Sequence, residues 1–472
     1  MSASELARKS ASAQAGLIAS GEVSAVEVLE ASLARIEEVN PTLNAFVTLD
    51  REGAKAAAMS ADKMVREGET LGPIHGLPIA IKDITETAGI KTTYGSAICK
   101  DYVPQEDAEV VRQIRASGGI ILGKTNTPEF ATGGVTSNEL FGATGNPWDP
   151  ALTPAGSSGG SAAAVASGMV PLAQGTDFGA SVRVPAAFCG LVGLRTTPGL
   201  ISNDPMPLPW DHGQVHGPLA RSPEDAALLL DAMAAFDPRS PISVVPPWAS
   251  AREELKRINS DETLSACFAD NLAGIQIDPE IAGICANAVA NLSTQGVATE
   301  QVSFDVSDGR DAYLALRGEW MIGQRFHQLD RLEDFTGNLN ANLKEGLALT
   351  VPETQSARRI QQDILLRYHA MFRDFDVILT PMTPIFPFPL EWPYPTEVGG
   401  VTMQNYMDWL APAFLVTLAG LVAASVPVGF GANGLPVGLQ VIGPRLSEPK
   451  VLSIASRLLA ANPDVSKRHC FD

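Results

Sequence analysis

From Gly156 to Leu200 the chain reads GSSGGSAAAVASGMVPLAQGTDFGASVRVPAAFCGLVGLRTTPGL. No other stretch constrains the fold as much. Glycine, serine, threonine and alanine dominate it, and bulky side chains are few. Such a segment lets the backbone approach a ligand, or another backbone, closely. SAAAVASGMVPLA (161–173) reads as a buried helix of small residues. The large apolar complement must come from elsewhere. With 472 residues, 45% of them hydrophobic and 18% charged, the chain can bury a sizeable core.

The flanking sequence alternates helical and strand patterns. Residues 24–39 carry apolar positions at helical spacing, begin at a serine cap and are expected to stop before Asn40-Pro41. AFVTL (45–49) reads as a strand, 52–67 as an Ala-rich helix, and GLPIAIKD (76–83) as an apolar strand ending in a lysine. A helix over 107–117 leads through Gly118-Gly119 into the strand IILGK. Beyond the proline-rich loop 237–248, LAGIQID (272–278) and QVSFDV (301–306) are predicted strands around a helix at 279–294. A helix near 355–373 precedes the strand FDVILTP (375–381), and VAASVPVGF (422–430) and LPVGLQVIG (435–443) read as two further strands. This alternation argues for an α/β layered fold.

Bulk charge excludes some functions. Lys and Arg number 34 against 53 Asp and Glu, a net charge of -19. With no basic run to offset that charge, nucleic acid is not an expected partner. The five cysteines are scattered, odd in number and never in C-x-x-C spacing, which suggests a reducing compartment. The six histidines form no ligand pair. The N-terminus lacks the apolar core of a signal peptide, and no run is long enough to span a bilayer. The expected address is the cytoplasm, with no membrane partner.

Two motif matches are decoys. Gly118 to Thr125 fits G-x-x-x-x-G-K-[ST], but a helix precedes it and its middle, Ile120-Ile121-Leu122, is a strand. A phosphate loop requires the reverse context. Gly156 to Gly160 fits G-x-S-x-G, which would make Ser158 a nucleophile. The preceding NPWDPALTPA (146–155) carries three prolines and cannot be the central strand that such an elbow needs.

The 156–200 segment closely resembles the signature of the amidase signature family. GLPIAIKD (76–83), LFGATGNPWDP (140–150), VHGPLARSPEDAALLLDAM (215–233), FDVILTPMTP (375–384) and GLPVGLQVIG (434–443) also resemble family segments, in family order. The likeness is weakest over 240–370. It implies a single domain spanning 1–472, an α/β/α sandwich with a large mixed sheet, in which roughly 240–370 is a variable region shaping the substrate site. It implies serine amide hydrolysis with no cofactor and no metal. Ser181, in Asp177-Phe178-Gly179-Ala180-Ser181-Val182-Arg183, takes the nucleophile's position. Ser157 takes that of a serine that follows a cis peptide and relays protons, and Lys82 that of the base.

Residue chemistry suits those roles. A serine hydroxyl needs a base, and a lysine serves only when burial favours its neutral amine. Pro78-Ile79-Ala80-Ile81 would carry Lys82 inward, while Asp83 should face the other way along the strand. Taken alone, Lys82 reads equally well as a strand-end lysine paired with an acid. Backbone N–H groups from Phe178 to Ser181 would bind the oxyanion. Asp177 and Arg183 read equally as supports that fix the loop or as groups with a direct role, and Ser158 and Ser161 read as turn locks. The family usually has glycine where this chain has Ala155 and Ala180. If position 180 required positive φ, alanine there would cost about 1–2 kcal/mol.

The substrate is expected to be a small aryl or alkyl carboxamide, with pocket walls near Ala131 and Thr132 and in 304–370. Tyr313, Trp320, Phe326 and Trp409 could line a pocket or fill core, and core is the favoured reading. A homodimer is compatible with the sequence. Two alternatives stand beside the amidase reading. One is a glutaminase component like the A subunit of tRNA-dependent amidotransferases. The other is a catalytically weakened family member acting as an interaction protein.

Overall fold

Alternation along the strands decides which side of the sheet each side chain feeds. Val377 and Leu379 enter one hydrophobic cluster, whereas Ile378 between them enters another. Ala424 and Val441 likewise part from their neighbours Ala423 and Ile442. Successive strand residues point to opposite faces, so the two clusters lie on the two sides of one sheet. This computed structural model describes residues 1–465 and 470.

The sheet has eleven strands. In chain order they are β1 (Phe46–Leu49), β2 (Pro78–Lys82), β3 (Ile120–Thr125), β4 (Leu172–Asp177), β5 (Val192–Arg195), β6 (Val215–Ala220), β7 (Leu264–Phe268), β8 (Val297–Gln301), β9 (Val377–Pro381), β10 (Val422–Phe430) and β11 (Pro436–Gly443). Their spatial order is β1-β3-β2-β4-β6-β5-β10-β11-β9-β7-β8. Pairing is parallel within β3-β2-β4 and β9-β7-β8 and antiparallel elsewhere, so the sheet is mixed. One face is covered by helices that include Ala25–Leu43, Gly159–Ala166, Pro223–Met233 and Glu448–Ala461. The other is covered by Arg183–Cys189, Arg310–Gln324, Val351–Met371 and Ala411–Leu418. This is the expected α/β sandwich with a large mixed sheet.

Several boundaries differ from expectation. The first long helix runs through Pro41 to Leu43 and ends on Asn44, whose φ is 51°. The small-residue helix stops at Ala166. Gly168, at φ 76°, turns the chain, and residues from Leu172 onward form β4 rather than helix. Residues 272–278 form no strand, and of 301–306 only Gln301, the last residue of β8, is paired. The ladder is made one segment earlier each time, by β7 and β8. Leu272, Phe304 and Val306 are buried apolar residues in irregular backbone. Burial without pairing misled the reading, while Ser265, Ala266 and Cys267 gave β7 little strand propensity.

Candidate active site

The site forms where β2 and β4 end beside the glycine-serine loop. β2 carries Lys82 into the interior, fully buried. β4, its parallel neighbour, places Thr176 alongside. The chain crosses above them at Gly156–Ser157, whose peptide bond is cis. Lys82 Nζ lies 2.6 Å from Ser157 Oγ and donates to Thr176 Oγ1 at 2.9 Å. Burial holds its pKa well below the ordinary lysine value, against the opposing charge of Asp177.

Gly156 is glycine for a packing reason. A Cβ there would stand 2.9 Å from the Val135 carbonyl and 3.0 Å from that of Gly133. Thr136 Oγ1 donates to the Ala155 carbonyl and accepts from Gly159 N–H, fastening both sides of the loop. Left-handed backbone falls at Ala155, with φ 62°, and not at Ala180. The strain considered for Ala180 is therefore absent there; the other alanine carries it.

The Ser158 N–H donates to the Ser181 carbonyl at 3.1 Å, joining the two serine loops. Ser181 itself is only partly buried. Just before it, Asp177 lies between two buried guanidiniums. Arg183 grips it with Nε and Nη2 at 3.0 and 2.9 Å, and Arg195 Nη1 approaches Oδ1 at 3.4 Å. Burial pushes the Asp177 carboxyl up, but Arg183 and Arg195 outweigh it and leave it at about 2. Arg183 also donates to the Gly179 and Ala413 carbonyls, Gln440 Oε1 and Thr417 Oγ1. Both residues thus act as loop supports.

The decoys resolve structurally. Lys124 is fully buried and donates to the Thr85 carbonyl and to Thr87 and Thr92 hydroxyls. It also stands 4.0 Å from Asp83, which, as expected, faces away from Lys82. Ser158 Oγ is held between the N–H and carbonyl of Thr176, and Ser161 Oγ donates to the Gln174 carbonyl. Both serines lock turns.

Sequence reasoning missed three neighbours of Lys82. Thr176 lies within the motif but looked like an ordinary strand residue. Gln174 Oε1 accepts from the Lys82 N–H, and Gln174 Nε2 lies 2.8 Å from His216 Nδ1. His216 pairs with Thr176 across β4 and β6. Burial holds its imidazole down at about 3, so it is neutral. Strand register brings this histidine close, and no local signal marked it.

Two cavities flank the site. One, of about 320 Å³, reaches Thr176 and His216 and is walled by Tyr94, Phe130 and Trp320. The other, of about 680 Å³, reaches Phe178 and Tyr313 and shares Trp320. Trp320 stacks on Phe178 with centroids 4.0 Å apart, so this pair divides them. Trp320 therefore borders open space, contrary to the core reading, whereas Tyr313 is a buried core residue that also reaches the larger cavity. Trp409 is core, at 0% exposure, and Phe326 is on the surface, at 65%. Ala131, with φ 59°, and Thr132 border neither cavity; they lead into the Gly133–Val135 segment that packs on Gly156.

Known proteins resemble this chain over nearly its whole length. The Amidase family model matches residues 27–452. An acylamidase of Rhodococcus erythropolis is 34% identical over 466 residues, covering 97% of this chain and 96% of that protein. The A subunit of the glutamyl-tRNA(Gln) amidotransferase of Picosynechococcus is 35% identical over 465 residues, covering 92% of this chain and 94% of that protein. The crystal structure of a bacterial aryl acylamidase of the amidase signature family superposes with a TM-score of 0.88 at 25% identity, covering 97% and 98%. The chain belongs to the amidase signature family.

Proposed function

We propose that this enzyme hydrolyses the C–N bond of a small linear carboxamide, aryl or alkyl, through an acyl-enzyme on Ser181. The observation that carries the reading is the buried Lys82 Nζ at 2.6 Å from Ser157 Oγ. Thr176 engages the amine as well, and a neutral amine keeps a lone pair to accept the Ser157 proton. Ser157 in turn takes the proton of Ser181, whose Oγ attacks the carbonyl carbon. Charge develops on the carbonyl oxygen and is met by N–H groups of the Phe178–Ser181 loop. As the tetrahedral intermediate collapses, the relay returns the proton to the leaving nitrogen and the amine departs. Water, activated by the same relay, then attacks the acyl carbon and releases the acid. The route uses side chains and backbone alone.

The cavities on either side of Phe178 and Trp320 suit small groups on the two sides of the scissile bond. No helix among the described residues is long and apolar enough to cross a membrane. A cytoplasmic address belongs to the proposal on the scattered cysteines. The test is a panel of amides of graded size with wild type, Ser181→Ala and Lys82→Ala. Equal loss in both variants supports the relay; full activity in Lys82→Ala defeats it. A second reading, a glutamine-hydrolysing component of a larger complex, draws on the 35% identity to the amidotransferase relative. Glutaminase activity appearing with a co-purified partner would favour it.

A further inference from the structure

We propose that Tyr313 is a positioning residue for the oxyanion-binding loop, acting through the Phe178 carbonyl, and that position 179 must be glycine to admit the tyrosine hydroxyl. The inference rests on the reading of Ser181 as nucleophile.

Four consecutive carbonyls of this loop each have a donor. Arg195 Nη1 donates to Asp177 O at 2.7 Å, Tyr313 OH to Phe178 O at 2.7 Å, Arg183 Nη2 to Gly179 O at 3.0 Å, and Val184 N–H to Ala180 O at 2.8 Å. In a trans peptide the C=O and the following N–H point in opposite directions. Fixing each carbonyl therefore fixes the next N–H away from its anchor. The N–H groups of Gly179, Ala180 and Ser181 donate to no acceptor among the described residues. Gly179 and Ala180 are buried, and buried N–H groups rarely lack a partner. A ligand oxygen is the natural one.

Three of the four donors lie between Arg183 and Arg195, inside or next to the motif. Tyr313 alone comes from afar, 135 residues beyond Phe178, on the helix Arg310–Gln324. Its ring is held against Phe414, with centroids 4.4 Å apart and planes 10° apart. A Cβ on Gly179 would stand 2.6 Å from the Tyr313 hydroxyl and 3.5 Å from Met407 Cε. The hydroxyl and the missing Cβ therefore compete for one space. Burial raises the phenol pKa, so the group remains a donor throughout the working pH range.

The experiment compares Tyr313→Phe, Gly179→Ala and the double variant in the full chain. Losing an oxyanion donor outright costs a hundredfold or more, so loosening one should cost about tenfold in kcat. In Tyr313→Phe, kcat should fall by about that factor with KM within twofold. Affinity for an aldehyde analogue of the substrate, which forms a tetrahedral oxyanion on serine, should fall in parallel, while affinity for the product acid is unchanged. Gly179→Ala should lose activity strongly in the wild-type background and far less when Tyr313 is already Phe. Should Tyr313→Phe fold poorly, wild-type activity in Gly179→Ala alone overturns the proposal. So does a loss confined to KM, unchanged aldehyde affinity, or additive losses in the double variant. If wild type hydrolyses no amide, or Ser181→Ala remains active, the nucleophile assignment fails instead.

Discussion

Lys82 Nζ stands 2.6 Å from Ser157 Oγ, and the two side chains are 0% and 1% exposed. Water can neither solvate a charge on this lysine nor compete for the serine. Burial thus favours the neutral amine, which is the state a base requires.

Replacing Lys82 separates charge from basicity. Lys82→Arg keeps a permanent cation and is expected to lose at least a thousandfold in kcat, near the scale of losing a base outright. Lys82→Met is equally inactive but not correspondingly unstable. The folded-state pKa of Lys82 is depressed, so the unfolded chain binds the extra proton between that pKa and 10.5. Across this window wild-type stability rises with pH by about 1.4 kcal/mol per unit relative to Lys82→Met. Urea unfolding of both proteins at pH 8, 9 and 10 checks the slope; parallel curves contradict it.

Ala155 and Ala180 should respond oppositely to glycine. Ala155 sits at φ 62°, where an L side chain costs about 1–2 kcal/mol. Glycine removes that cost but adds unfolded-state entropy, so Ala155→Gly is expected to gain up to about 1 kcal/mol. Ala180 has no such φ, and Ala180→Gly is expected to lose about 0.5–1 kcal/mol. Melting curves of the two variants decide the sign.

Asp177 is the counter-charge of two buried guanidiniums. Asp177→Asn leaves both underpaired and is expected to cost about 3–5 kcal/mol. The acid's folded pKa, about 2, lies below its ordinary 3.8. Its contribution is therefore complete above pH 3.8 and lost as pH falls through 2. Equilibrium unfolding between pH 2 and 6 should show this limb in wild type and not in Asp177→Asn.

Trp320 borders both cavities and stacks on Phe178. Trp320→Ala opens one chamber into the other. Its kcat/KM should rise about tenfold for bulky amides relative to small ones, a difference typical of apolar pocket contacts. A uniform change across the panel would show that the indole only fills space.

The sequence made the sheet legible where strands were apolar and bounded by turns, as at β2, β3, β9, β10 and β11. It failed at β7, whose Ser265, Ala266 and Cys267 resemble no strand, and at Leu272 and Phe304, which are buried without pairing. Ser157 and Ser181 stood out in the sequence because the long 156–200 motif orders them, and Lys82 because it ends the apolar strand GLPIAIKD. His216 and Tyr313 did not, because each reaches the site by tertiary placement alone: one by strand register, the other on a distant helix. Likewise φ at Ala155 and Ala180 depends on how the loop is fastened, which residue identity does not reveal.

The central claim is that Ser181 is the nucleophile and Ser157 its relay. The most direct test is labelling with a fluorophosphonate, followed by peptide mapping. The account predicts one adduct, on Ser181, with labelling slowed at least a hundredfold in both Lys82→Ala and Ser157→Ala, as when a general base is lost. An adduct on Ser157 or Ser158, or unchanged labelling of Ser181 in Lys82→Ala, would contradict it.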